Sequence, residues 1–97
     1  MVYRIVVPMS DKTYEGWKNY ETWNVALWIN NEQPYYEGAV EFMKDYKGRA
    51  PYKDFIIDCG LDGQRTPDKI AWAGKNLDYK ALNEMMWEFR PNDWKSK

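Results

Sequence analysis

Histidine is absent from this chain and cysteine occurs once, at Cys59. Together these remove a standard structural zinc site, the Ser-His and Cys-His nucleophilic mechanisms, and any intramolecular disulfide. No apolar run approaches the ~20 residues that span a bilayer, and Met1 to Val7, interrupted by Arg4, is too short for a secretory leader. A cytoplasmic setting without membrane contact is the expectation. Neither sign of charge is in excess: 14 Lys and Arg face 15 Asp and Glu, a net charge of -1, so no global field draws the chain to phosphate or anionic lipid. Repeats, low-complexity tracts and linkers are missing too. The 97 residues read as one domain, 1–97. A chain of that size removes roughly 60–65% of its unfolded surface from water. No pattern calls for a cofactor.

What the chain has is aromatic mass. Six Trp and eight Tyr supply the contact area that a small core needs, since a buried ring contributes about 150–250 Å². Exposed Trp and Tyr, by contrast, are the stuff of binding hot spots.

Punctuation by Asn, Asp, Gly and Pro predicts a mainly α fold with about four helices. Asn19 suits an N-cap, Glu21 puts negative charge in the first turn, and Asn30 or Asn31 suits the exit, giving a helix over 20–30. Its apolar residues surround almost the whole circumference, which marks it as the most buried helix. Pro34 can open a second helix, to Tyr46 ahead of Gly48, and Pro51 a third, ended by Gly60. In the third, Tyr52, Phe55, Ile56 and Cys59 form one stripe. Residues 61–76 read as loop around Thr66-Pro67-Asp68. Asp78 caps a last helix over 79–89, with Tyr79, Leu82, Met86 and Phe89 on one face. Tyr3, Ile5 and Val7 alternate ahead of Pro8 as a short N-terminal strand. Its partner is either 69–73, in a minimal two-stranded sheet, or a second copy of the chain in a homodimer. Residues 92–97 are expected to fray.

The run Asn19-Tyr20-Glu21-Thr22-Trp23-Asn24-Val25-Ala26-Leu27-Trp28-Ile29, continued by Asn30-Asn31-Glu32, resembles the shared motif of a family of small uncharacterised proteins found largely in phages and the genomes that carry them. Leu77-Asp78-Tyr79 to Met86 is similar to the family's aspartate-aromatic start of a last helix. The resemblance implies a phage or mobile-element setting, hence a host-cell cytoplasm, and no chemistry.

Three candidate sites follow. Tyr20, Asn24, Trp28 and Asn31 lie on one helical line and, with Trp23, could grip a host or phage protein. The competing reading puts the indoles in the core and Asn24 in an internal hydrogen bond, so that the motif specifies the fold. Lys44, Lys47, Arg49 and Lys53, interleaved with Tyr46 and Tyr52, suit phosphate tracking and base stacking, although Asp45 and Asp54 dilute the charge and the helix dipole already explains the lysine of a last turn. Arg90, Lys95 and Lys97 form a second basic group. Pro67-Asp68 with Asp78-Tyr79-Lys80 fits a loose magnesium-nuclease pattern, but the capping signal at Asp78 opposes it. Asp54, Asp58 and Asp62 are spaced by four, yet Gly60 interrupts their face. The expected function is non-catalytic protein binding by an accessory factor, a candidate antagonist of a host defence system. Nucleic-acid binding is the first rival and nuclease activity the second.

Overall fold

The computed structural model describes residues 16–90, which leaves the expected N-terminal strand and the 92–97 tail outside the described residues. Four helices account for the regular structure among them: α1 Tyr20–Asn31, α2 Gln33–Lys44, α3 Pro51–Asp58 and α4 Tyr79–Glu88. α1 packs on α2, α3 packs on α4, and α2 also touches both α3 and α4. The core that they enclose is formed by Val25, Ala26 and Ile29 of α1, Ala39 and Met43 of α2, Tyr52, Phe55 and Ile56 of α3, and Leu82, Met85 and Met86 of α4. Leu61, Trp72 and Leu77 reach the same core from the long loop between α3 and α4. Burial of each large apolar side chain contributes about 1.5–3 kcal/mol, so Trp72 anchors that loop more strongly than any turn hydrogen bond.

Capping chemistry sets the helix ends. Asn19 Oδ1 accepts from the Thr22 backbone N–H at 2.9 Å and from the Thr22 hydroxyl at 2.6 Å. The Thr22 hydroxyl in turn accepts from the Asp78 backbone N–H at 2.9 Å, while Asn19 Nδ2 donates to the Asn76 carbonyl at 2.8 Å. Asp78 caps α4 by accepting from Ala81 N–H. The starts of α1 and α4 are therefore one hydrogen-bonded unit. α3 ends in a Schellman arrangement, with Leu61 N–H donating to Ile56 O and Gly60 N–H to Ile57 O, and Gly60 takes the left-handed φ of +76° that this turn requires.

α2 ends two residues before the expected Tyr46. Arg90 provides the physical reason: its guanidinium donates to the carbonyls of Met43, at 2.9 Å, and Tyr46, taking over acceptors that another helical turn would have used. Segment 69–73 is not a strand. Its only ladder contact among the described residues is an isolated antiparallel bridge between Arg65 and Ala71, because the chain turns back at once: Lys69 N–H donates to Thr66 O, and Thr66 N–H to Ile70 O. The result is a tight hairpin, a type I turn followed by a left-handed residue, Lys69, at φ 72°.

Candidate functional site

Asn24 is the residue around which the motif is organised. It is fully buried, and its amide uses donor and acceptor alike. Nδ2 donates to Asp68 Oδ2 at 2.8 Å and, more weakly, to the Tyr20 hydroxyl at 3.5 Å, while Oδ1 accepts from the Thr66 hydroxyl at 2.8 Å. Thr66, also buried, accepts from the backbone N–H groups of Asp68 and Ile70 and so fixes the hairpin from within. One turn along α1, the Trp28 indole N–H donates to the same Asp68 Oδ2 at 3.1 Å.

These bonds leave Asp68 oriented but not covered. It sits exposed at the hairpin tip, and the hydrogen bond from Asn24, followed by that from Trp28, holds its carboxyl below the ordinary aspartate range, so it is ionised at neutral pH. Both donors engage Oδ2, and no hydrogen bond to Oδ1 is made among the described residues. Next to it, Trp28, Glu32, Pro34, Tyr35 and Pro67 line a cleft of about 320 Å³. Trp28 and Tyr35 are half-buried, and the Tyr35 ring is held edge-on against buried Trp72, with centroids 5.5 Å apart. On the other flank of the α1–α2 corner, Asn30, Asn31, Gln33, Tyr36 and Glu37 line a second hollow, with Tyr36 43% exposed.

The expected protein-binding line thus divides. Trp23 and Asn24 point inward, and Tyr20 and Trp28 are half-buried; Asn31 is exposed. Thr66 and Asp68 were not expected to be Asn24's partners. The Thr-Pro-Asp-Lys sequence signals a turn, but nothing in a single sequence says which helix the turn meets.

The basic set is not a stacking surface. Tyr52 is fully buried and donates its hydroxyl to the Trp72 carbonyl, and burial pushes its phenol far above the ordinary value, so it presents no face to a base. Tyr46 is half-buried, packs against Phe42 and Trp87, donates to Asp54 and accepts from Ala50 N–H. Lys44 pairs with Glu41 at 3.2 Å. Lys47, Arg49 and Lys53 stand exposed around the α2–α3 loop. Arg90 is spent on the end of α2 and lies 5.1 Å over the Trp87 ring, while Lys95 and Lys97 lie outside the described residues.

The nuclease pattern does not assemble either. Asp78 is an N-cap, Asp68 is held by an amide and an indole, and Lys80 pairs with Glu84 on the surface of α4. No group of three or more acidic, His or Cys side chains suited to a metal ion occurs among the described residues. Of the evenly spaced acids, Asp54 accepts from Tyr46, and Asp58 and Asp62 lie exposed. Cys59 is exposed at the end of α3, where desolvation and then Asp58 push its thiol above the ordinary value, which disfavours a reactive thiolate. No helix among the described residues is long and apolar enough to cross a membrane.

These features define a small mainly helical domain in which one motif-bearing helix clamps a surface hairpin. The chain belongs to a family of unknown function (DUF7249), which it matches over residues 10–94. No curated protein and no solved structure matches it.

Proposed function

We propose that this protein is a non-catalytic, protein-binding accessory factor of phage or mobile-element type, acting in the host cytoplasm against a host defence system. The observation that carries the binding part is the α1–α2 corner, where Trp28, Tyr35 and Tyr36 remain partly exposed around two hollows. Tyr and Trp are the residue types that dominate binding energy at protein interfaces, and these are held on rigid helices, which lowers the entropy lost on association. The phage setting is supported by the likeness of the Asn19 to Ile29 run. Asn31 and Tyr36 carry the accessible part of the contact, while Trp23 and Asn24 hold the helix that presents it.

The test is a tagged capture from nuclease-treated host lysate, comparing the native chain with Tyr36→Ala and Asn31→Ala. Both sites are exposed, so the variants keep their circular dichroism. A band retained by the native chain and weakened about tenfold or more by Tyr36→Ala, the size of a hot-spot truncation, supports the reading. A band indifferent to both variants places the interface elsewhere. Material lost on nuclease treatment favours nucleic-acid binding through Lys47, Arg49 and Lys53.

A further inference from the structure

The acidic side chains at the α1–α2 corner are Glu32 and Glu37, whereas Glu21 lies beside Arg65, Lys69 and Lys75 and Glu41 pairs with Lys44. The exposed Asp68 carboxylate is brought onto the same corner by Asn24 and Trp28. A buried amide and an indole N–H therefore hold a single surface carboxylate through Oδ2, while the buried Thr66 hydroxyl holds the Asp68 backbone N–H, next to the cleft that Trp28 and Pro67 line.

We infer that the cleft lined by Trp28, Glu32, Pro34, Tyr35 and Pro67 receives an arginine side chain of a partner protein, its guanidinium against the Trp28 indole and hydrogen-bonded to Asp68 Oδ1. This assignment rests on the protein-binding reading and names the chemistry of the partner's contact. The cleft, about 320 Å³, accommodates one such side chain. Planarity favours arginine over lysine: a guanidinium stacks on an indole face while directing N–H groups in its own plane toward a carboxylate, whereas an ammonium is a more strongly hydrated point charge. Glu32, on the same cleft, supplies a second negative group. The neighbouring prolines, Pro34 and Pro67, add rigid apolar walls against the side chain's methylene stem.

The experiment titrates Nα-acetyl-arginine amide into the full ¹⁵N-labelled chain, with the lysine and glutamine analogues as comparators at matched ionic strength, and follows the Trp28 indole N–H. The expected result is a saturable shift with arginine, a response to lysine weaker by about threefold or more, and none to glutamine. Asp68→Asn preserves the shape of the side chain and the acceptor for Asn24 and Trp28, and should weaken arginine binding by about tenfold. Absence of a saturable Trp28 shift, an equal response to lysine, or an unchanged response in a folded Asp68→Asn variant overturns the assignment. Because the probe is an amino-acid amide, the result does not depend on whether the lysate capture succeeds, and each reading can fail alone.

Discussion

The buried amide of Asn24 and the exposed carboxylate of Asp68 meet at 2.8 Å across 44 residues of chain. With the Thr66–Asn24 and Trp28–Asp68 bonds it joins the first helix to the loop between α3 and α4. It fastens the Thr66–Ile70 hairpin and aims a charge outward.

Replacing Asn24 by Leu removes the amide while keeping similar volume. The Thr66 hydroxyl then loses its acceptor in a buried place, and Asp68 loses its shorter donor. The expected cost is about 2–3 kcal/mol, since an unsatisfied buried group carries its full desolvation penalty. Urea unfolding followed by tryptophan fluorescence measures it. A change below about 0.5 kcal/mol would mean that the amide is not wired as described.

Much of the fold was legible before any coordinate. The helix starts at Tyr20, Pro51 and Tyr79 follow from Asn19, Pro51 and Asp78, because caps act through residues adjacent in sequence. The end of α2 was misplaced at Tyr46 because its cap, Arg90, arrives from 44 residues away. Tyr52 illustrates the same limit. It belongs to the expected apolar stripe of α3, yet its interleaving with basic residues also suggested a stacking surface, and only its hydrogen bond to Trp72 O decides between the two. For the motif, the hydrogen-bonding capacity of Asn24 was visible and its direction was not.

Stability should depend on pH through Asp68. Its carboxyl is held below the ordinary value of about 3.9 when folded, so the folded state binds the proton more weakly than the unfolded chain does. The contribution is complete above the unfolded value, falls as pH is lowered through the range between the two values, and is gone below the folded one. The difference in urea midpoint between the native chain and Asp68→Asn should therefore be constant near neutrality and shrink as the solution is acidified below about pH 4. Lys69, next in sequence, and Glu32, on the adjoining cleft, are present in both proteins, so the comparison isolates Asp68. A difference that grows on acidification would reverse the sign and contradict the hydrogen-bonding scheme.

Lys69 occupies a left-handed conformation, at φ 72°, where glycine is ordinarily found. Lys69→Gly relieves a conformational cost of about 1–2 kcal/mol and incurs somewhat less in unfolded-chain entropy. The variant should be as stable as the native chain or more stable by up to about 1 kcal/mol. A loss beyond that would show that the lysine side chain, and not the backbone, sustains the turn.

Gly48 lies under the Tyr46 ring. A Cβ there would stand 2.4 Å from the Tyr46 hydroxyl oxygen, which is already engaged with Asp54 and Ala50 N–H. Gly48→Ala must displace the ring and break those bonds, at an expected cost of about 1–3 kcal/mol. Gly63→Ala, where nothing lies within 4 Å, is the matched control and should be close to neutral. Equal thermal midpoints for the two variants would contradict the packing described for the α2–α3 loop.

The most direct test of the Asn24–Asp68 link is a double-mutant cycle of Asn24→Ala and Asp68→Ala, read by urea unfolding at neutral pH. A bond between a buried amide and an ionised carboxylate predicts a coupling of about 1–2 kcal/mol, with the double variant much less destabilised than the sum of the single ones. Additive losses, with coupling within about 0.3 kcal/mol of zero, would mean that α1 and the hairpin do not share this contact, and the carboxylate would no longer be a fixed element of the surface.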